Sequence, residues 1–191
     1  SQKKDNKKVV EFVNYRFPVL HANFNTVHTI GIHPWDIELI AEEELIQELK
    51  VLLINKYCVG IGECGLDFFK KTIDEQKQIH FFSKQIELSE ALELPLIIHC
   101  VRAFHELFYL HKLYKPKQAW IVHGFNGSLK LATQLLEKGI YMSFGKTLLL
   151  SHSQKLIETI PLNQLFFETD ESDILIASLY KQAALYYNVN E

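Results

Sequence analysis

Seven short apolar segments alternate with longer amphipathic segments along this chain. Several of the apolar segments are nearly continuous runs of hydrophobic residues, which is typical of strands buried on both faces of a parallel sheet. The predicted strands cover residues 9–15, 27–33, 57–63, 94–100, 119–125, 140–144 and 165–169. Strands that alternate with helices in this way predict a parallel α/β fold.

The amphipathic segments between these strands predict helices. Asp36 precedes apolar residues at three-and-four spacing and is predicted to cap the first helix. Thr72 and Glu75 form a capping-box pattern that predicts the start of a second helix. Shorter helices are expected around residues 102–113, 128–138, 151–159 and 173–187. Since no repeat or interdomain linker interrupts this order, residues 1–191 are predicted to form a single domain.

Polar side chains at the predicted strand ends distinguish an open sheet from a barrel. Four such residues each stand at the carboxyl end of a different predicted strand: Glu63, His99, His123 and Asp170. In an open sheet these residues would be spread across its width, whereas in a barrel all strand ends converge on one mouth. The pattern therefore favours a TIM-like (β/α) barrel.

Glutamate, histidine and aspartate supply the oxygen and nitrogen ligands that divalent metals bind. Glu63 lies in the apolar run YCVGIGECGLDFF, where an unpaired carboxylate is costly, so a cation that neutralises it explains its position. Such a site holds one or two ions, about 4 Å apart, and activates water for hydrolysis. Asp67, beyond the end of this predicted strand, is expected to support a metal ligand or to face the substrate.

Each of these residues also has a structural interpretation. A single strand-end histidine is more often a hydrogen-bonded structural residue than a ligand, and Glu63 alone could pair with Arg102 or a lysine. His33, in the segment GIHPWD, fits a functional role and packing beneath the Pro-Trp turn equally well. Arg102 fits phosphate binding and a solvated helix start equally well. The other histidines are interpreted as structural: His21, His28, His80, His105, His111 and His152.

Charge and cysteine content restrict the possible partners and compartments. A formal net charge of -3 gives no global basic field for nucleic acid, although a local basic cleft stays possible. Cys58, Cys64 and Cys100 are an odd number at irregular spacing, which favours reduced thiols and a cytoplasmic location. No apolar run approaches the roughly 20 residues of a membrane span, and no signal-peptide pattern opens the sequence.

Short motifs follow one another from the second predicted strand to the C-terminus: GIHPWD, GIGECGLDFF, LPLIIHCVRAFHEL, IVHGFNGS, YMSFG and FFETDESD. Their order resembles that of the TatD-family metal-dependent deoxyribonucleases, of the amidohydrolase superfamily. The resemblance implies a distorted TIM barrel with a two-metal site that hydrolyses phosphodiester bonds, typically trimming DNA from an end. It further implies that Glu63 bridges the metals and that His99 and His123 hold one ion. Asp170 would hold the other ion and orient the attacking water.

The sequence departs from the family pattern at the first strand. The family's opening strand carries a His-x-His motif that supplies further ligands, and no His-x-His occurs here. The family's barrel has eight strands, one more than are predicted here. Because an unpaired strand edge is a liability, we interpret the chain as a barrel that lacks its first strand, with an N-terminal piece missing. Trp35 stands where many members have a second histidine.

These observations predict a metal-dependent hydrolase, most simply a phosphodiesterase or deoxyribonuclease that acts on DNA ends or single strands and not on a membrane. The expected cofactors are one or two Mg, Mn or Zn ions, held by Glu63, His99, His123 and Asp170. Glu63 and Asp170 are also the predicted catalytic residues. The residues predicted to bind substrate are Arg102, His33 and Asp67. Two alternatives stay open: hydrolysis of another small phosphate or amide substrate, and a metal-poor barrel that binds a partner without catalysis.

Overall fold

The structure is a computed structural model that describes residues 12–18, 24–38, 42–150, 153–170 and 172–189. Seven parallel strands form one sheet in chain order. They are β1 Val13–Arg16, β2 His28–Gly31, β3 Cys58–Asp67, β4 Leu96–Val101, β5 Trp120–Val122, β6 Tyr141–Phe144 and β7 Leu165–Phe167. All the predicted strands are confirmed, although residues 9–11 of the first lie outside the described part of the chain.

A helix follows each strand from β2 to β7, as parallel strands require for their crossover connections. The helices are α1 Glu42–Leu53, α2 Glu75–Leu92, α3 Phe104–Tyr114, α4 Leu129–Glu137, α5 Gln154–Ile157 and α6 Ile176–Tyr187. Short 3₁₀ segments at Lys146–Leu149 and Leu162–Gln164 precede α5 and β7. The predicted alternation of strands and helices is therefore confirmed.

Two helix starts differ from the sequence prediction. Asp36 does not cap α1, because residues 36–38 form a turn and α1 spans Glu42–Leu53. The Asp36 carboxylate instead accepts two hydrogen bonds of 2.9 Å from the guanidinium of Arg16. The capping box at Thr72 is also wrong: Asp74 caps α2 and accepts a hydrogen bond of 2.8 Å from the Lys77 N–H. The donor that Asp36 binds, Arg16, lies on β1, and the local sequence around Asp36 does not reveal it.

The helices cover the sheet through buried apolar side chains. On the strands these side chains include Ile30, Ile98, Trp120, Met142 and Phe144, and on the helices Phe82, Ile86, Leu107 and Leu135. The ring of Phe82 on α2 lies 5.6 Å from that of Trp120 on β5, measured between centroids. This packing holds the strands in place and thereby sets the positions of the side chains at their carboxyl ends.

The sheet is curled, so that side chains from distant strands meet at its carboxyl end. Asn14 on β1 donates a hydrogen bond of 2.7 Å to Glu63 on β3. Glu168, directly after β7, lies 3.5 Å from His123, directly after β5. Among the described residues, no hydrogen-bonded ladder joins β7 to β1. The TIM-type curvature is confirmed, whereas the missing first strand stays a prediction.

β3 is longer than predicted, and this changes the place of Glu63 within it. The predicted strand ended at Glu63, but β3 continues to Asp67, and its register against β4 shifts between residues 61 and 64. Just beyond this shift, at position 65, the backbone accepts only a glycine. Its φ is +127°, and its backbone packs so closely on the carbonyl oxygen of His99 that no Cβ atom fits. Glu63 therefore lies within an irregular strand rather than at a strand end.

The longest helix, α2, has 18 residues. Of the helices that the structure describes, none combines the length and apolar character needed to cross a membrane. The cytoplasmic location stays a prediction.

Candidate metal centre

A first group of potential metal ligands lies on and beside β2, β3 and β4. His33 stands two residues after β2, Glu63 lies on β3 and His99 lies on β4. One imidazole nitrogen or carboxylate oxygen from each lies within 4.8 Å of the others. His33 is buried and the other two side chains are half-buried, so this group is largely screened from water.

A second group of potential ligands follows β5 and β7. His123 comes directly after β5, while Glu168 and Asp170 come one and three residues after β7. Their ligand atoms also lie within 4.8 Å of one another. Asp170 is exposed, whereas the other two side chains are half-buried, so this group opens to solvent at Asp170.

His123 joins the two groups. Its Nε2 atom lies 3.4 Å from Glu63 Oε2 and 3.3 Å from His99 Nδ1. Its Nδ1 atom lies 3.5 Å from Glu168 Oε1. The four residues that the sequence predicted as ligands, Glu63, His99, His123 and Asp170, therefore all converge at one end of the sheet.

Burial and neighbouring charges act on Glu63 in opposite directions. Burial is the main cause that raises the pKa of its carboxyl group, and the negative charges of Asp170 and Glu168 raise it further. The charge of His123 and the hydrogen bond from Asn14 oppose these effects, but the net pKa lies above its ordinary value. The ionised form of Glu63 is therefore short of positive charge in this environment, as expected for a carboxylate that binds a cation.

His123 and Glu168 stabilise each other's charged forms. Burial lowers the pKa of His123, but the contact with Glu168 and the charge of Glu63 together raise it above its ordinary value. Burial raises the pKa of Glu168, but the contact with His123 and the hydrogen bonds of Ser143 and the Gly124 backbone together lower it below its ordinary value. Glu168 is therefore ionised at neutral pH and holds the His123 ring from the side opposite to Glu63.

His33 is neutral over the ordinary pH range. Burial above all, and then the charge of His99, lower its pKa to about 2. The backbone N–H of Trp35 donates to its Nδ1 atom at 3.2 Å, and its Nε2 atom faces Glu63 Oε2 at 3.8 Å. The contact with Glu63 is not an ion pair, because the imidazole carries no charge. His33 thus lies among the potential ligands, and its predicted contact with substrate stays a prediction.

Asp67 supports His99. Its carboxylate lies 3.1 Å from His99 Nε2 and accepts a hydrogen bond of 2.8 Å from the indole N–H of Trp35. The backbone N–H groups of Phe69 and Lys70 donate to its other oxygen at 3.0 and 3.2 Å. Burial raises the pKa of Asp67, but these hydrogen bonds lower it overall. Asp67 is the last residue of β3 rather than beyond it as predicted, and it is 2% exposed, which suits orientation of His99 better than contact with substrate.

Arg102 lies at the rim of the centre. It directly follows β4, has a positive φ of +54° and is exposed. Its guanidinium carbon lies 4.4 Å from the centroid of the Phe69 ring. Among the described residues its contact is thus with an aromatic ring, and the side chains that contact Glu63 are His33, His123 and Asn14. The alternative of a structural Glu63–Arg102 salt bridge is therefore wrong.

Residues 3–177 of the chain match the family model described as TatD related DNase. The chain belongs to this TatD-related DNase family. The match confirms the resemblance that the order of the motifs indicated, and it covers both ligand groups.

The chain is similar to proteins of several organisms. The chain is 31% identical over 163 residues to a Cronobacter turicensis protein named 3'-5' ssDNA/RNA exonuclease TatD, covering 82% of this chain and 61% of that one. An uncharacterized metal-dependent hydrolase of Haemophilus influenzae is 32% identical over 160 residues, covering 78% and 60%. The crystal structure of YjjV, a TatD homologue of Escherichia coli, matches with a TM-score of 0.74 at 24% identity, covering 83% and 68%. The chain spans about three fifths of the length of the curated relatives it matches, for example 63% of one in Buchnera aphidicola.

Sequence reasoning missed Glu168 and Asn14 in this TatD-family centre. Glu168 stands in FFETDESD, inside the predicted strand 165–169, and the rule that selected strand-end carboxylates would have found it. Asn14 offered no such signal, because it lies two strands away from Glu63. It accepts a hydrogen bond of 2.7 Å from Thr29 on β2 and donates one to Glu63, so that its amide is held in one orientation.

Two of the histidines interpreted as structural, His111 and His28, pack against aromatic rings. The ring of His111 lies 5.0 Å from that of Trp120, and the ring of His28 lies 5.2 Å from that of Phe24. Burial raises the pKa of Cys100 to about 12, so its thiol is not a nucleophile at neutral pH. His21 and His152 lie outside the described residues.

Proposed function

We propose that this TatD-family chain is a metal-dependent hydrolase that cleaves phosphodiester bonds in DNA. The observation that carries the proposal is the contact between His123 and Glu63, which joins two groups of nitrogen and oxygen donors in and beyond the carboxyl-terminal halves of parallel strands. In barrel enzymes this end of the sheet holds the active site. The names of the relatives, an exonuclease and a metal-dependent hydrolase, support the same class of reaction.

The chemistry of the donors fits divalent metal ions. Imidazole nitrogens suit Zn²⁺, and carboxylate oxygens suit Mg²⁺ and Mn²⁺. The pKa of Glu63, raised chiefly by burial, supports the presence of a cation, because the described side chains do not fully compensate its charge. The residues that would hold a first ion are His33, Glu63 and His99, and those that would hold a second are His123, Glu168 and Asp170. This grouping separates His99 from His123, which the family resemblance assigned to one ion.

Divalent ions in such a centre supply Lewis acidity, which activates water and stabilises negative charge on the phosphate. The remaining functions belong to the side chains. Asp170, the exposed member of its group, holds the attacking water and accepts its proton at a carboxylate oxygen. Glu63, held by Asn14 and His123, keeps the two groups at a fixed spacing. Arg102 meets a phosphate of the bound strand at the rim.

The test is hydrolysis of a labelled single-stranded oligodeoxynucleotide, with Mg²⁺, Mn²⁺ or Zn²⁺ and after exhaustive chelation. Hydrolysis should require metal, and Glu63→Gln should abolish it. The matched control is Glu87→Gln, because Glu87 lies on α2 and pairs with Lys84 at 3.2 Å, away from the centre. Hydrolysis that survives chelation would overturn the mechanism.

The metal content of the variants shows whether Glu63→Gln loses hydrolysis because it no longer binds metal. Mass spectrometry of both variants should show less bound metal in Glu63→Gln than in Glu87→Gln. Equal metal content in the two variants would show that Glu63 is not a ligand. Nothing among the described residues favours the alternative of a binding protein without catalysis.

A further inference from the structure

Two large aromatic side chains are exposed beside the first ligand group. Trp35, two residues after His33, is 40% exposed, and Phe69, two residues after the end of β3, is 60% exposed. Both are anchored on Asp67, which accepts a hydrogen bond from the indole N–H of Trp35 and another from the backbone N–H of Phe69. Since Asp67 also contacts His99, the two rings are fixed relative to the proposed metal centre.

Cations lie over both rings. The Nζ atom of Lys70 lies 4.4 Å from the Trp35 ring centroid, and the Cζ atom of Arg102 lies 4.4 Å from the Phe69 ring centroid. No ion pair joins Lys70 or Arg102 to a carboxylate of the described residues. Arg16 also lies near Trp35, at 5.6 Å, but an aspartate neutralises it at 2.8 Å. In a chain with a net charge of -3, these two cations, which have no ion-pair partner in the part of the chain that the structure describes, form a local positive rim.

Exposed aromatic faces next to cations match the chemistry of single-stranded nucleic acid. Bases stack on aromatic rings, and phosphates contact lysine and arginine. Arg102 lies over one face of Phe69, and the side chain is 60% exposed, so part of the ring is accessible to a base. A base pair inside a duplex has both faces covered by its neighbours, so such a ring suits an unpaired nucleotide rather than an internal base pair.

We infer that Trp35, Phe69, Lys70 and Arg102 form a stacking rim that grips an unpaired nucleotide at the entrance to the metal centre. A base stacks on the accessible part of the Phe69 ring, and Arg102 and Lys70 contact the adjoining phosphates. The inference rests on the proposed action on nucleic acid and assigns the residues that select single strands. Trp35 holds Lys70 in the rim, and its fluorescence reports on occupation of the rim. It stands at the position where the sequence departs from the family pattern.

Tryptophan fluorescence measures occupation of the rim without any need for hydrolysis. The chain has two tryptophans, and Trp120 is 1% exposed, so a bound strand reaches only Trp35. The full chain is titrated in Mg²⁺ with a phosphorothioate oligothymidylate, and the emission should be quenched as the oligonucleotide binds. Unchanged emission at concentrations that saturate binding by fluorescence anisotropy, or an absence of binding, would overturn the inference.

Two changes, one in the protein and one in the oligonucleotide, are combined to test the stacking itself. Phe69→Leu keeps an apolar side chain but removes the ring, and it should weaken binding by about five- to 100-fold. The matched control Tyr109→Leu removes an exposed ring on α3, 55% exposed, and should leave the affinity unchanged. An oligonucleotide of the same length made only of abasic residues should bind weakly, and equally so to the parent chain and to Phe69→Leu. Equal affinity of Phe69→Leu and Tyr109→Leu for oligothymidylate would overturn the inference.

The two proposals fail in different ways. Quenching of Trp35 without hydrolysis of an unmodified oligonucleotide in any metal would leave the stacking rim standing and contradict the proposed nuclease. Metal-dependent hydrolysis with no quenching of Trp35, and with no effect of Phe69→Leu on affinity, would support the proposed nuclease and contradict the stacking rim.

Discussion

The Nε2 atom of His123 lies 3.4 Å from the Oε2 atom of Glu63, and this contact joins the two ligand groups of the candidate centre. It connects the end of β5 with the irregular middle of β3, across the intervening β4. A shift of either strand would separate the groups, so the packing around β3 and β5 sets the geometry of the proposed metal centre.

Replacement of Glu168 by glutamine should lower the pKa of His123 and weaken metal binding. Glutamine keeps the shape of the side chain but removes the negative charge that counteracts the burial of His123. An NMR titration of the chelated protein should show the lower pKa, and calorimetry should show a loss of metal affinity of about ten- to 100-fold. Glu137→Gln, at the end of α4, is the control. An unchanged pKa of His123 would contradict this electrostatic role.

The free energy of unfolding should fall as the pH drops below 6.5, the ordinary pKa of histidine, and His33 should account for part of the fall. Its folded-state pKa is lowered to about 2, so below 6.5 the unfolded chain binds a proton that the folded chain does not. This contribution to stability is complete above pH 6.5 and falls by at most about 1.4 kcal/mol per pH unit below it.

Urea denaturation of chelated protein at about pH 7 and about pH 5.5 measures this effect. His33→Gln should show a smaller change between the two pH values than the parent chain. The comparison isolates His33, because His99 acts in the same direction and His123 in the opposite one in both proteins. An equal pH dependence of parent and variant would contradict the burial of a neutral His33.

Gly65→Ala should destabilise the chain by more than Gly139→Ala. Both glycines have a positive φ, +127° and +70°, so a side chain introduces backbone strain of about 1–3 kcal/mol in each. The two positions differ in space: a Cβ at Gly139 meets nothing within 4 Å, whereas one at Gly65 collides with the carbonyl oxygen of His99. Urea denaturation of both variants measures the difference. Equal losses of stability would show that the contact between β3 and β4 is looser than the structure indicates.

Oligonucleotide binding should depend only weakly on salt. Two phosphate contacts, by Lys70 and Arg102, give a slope of log affinity against log salt of about -1.4 for a single strand. Arg102→Gln should make the slope shallower by about 0.7, whereas the control Lys84→Gln on α2 should not change it. A slope near -4, which corresponds to about six contacts, would reveal a basic face elsewhere on the molecule.

The types and order of the secondary-structure elements could be predicted from the sequence because burial imposes a local pattern. A strand covered on both faces needs a continuous apolar run, and segments such as 119–125 and 140–144 show one without any knowledge of their neighbours. The same locality explains the errors. Asp36 has the spacing of a helix cap, but Arg16, which binds it, is 20 residues away in the chain.

The same distinction applies to the candidate centre: its ligand residues could be predicted from the sequence, but their partners could not. Glu63, His99, His123 and Asp170 could be selected from sequence as ligand-type residues in or after apolar strand segments, because a curled parallel sheet brings its strands together on this side. The continuation of β3 past Glu63 to Asp67 could not be predicted. The partners of these residues could not be predicted: Asn14 reaches Glu63 only because β1 curls towards β3. The depressed pKa of His33 and the opposing pKa shifts of His123 and Glu168 likewise follow from distances and burial that exist only in the folded chain. Desolvation and charge interactions act through space, between residues that the order of the chain leaves far apart.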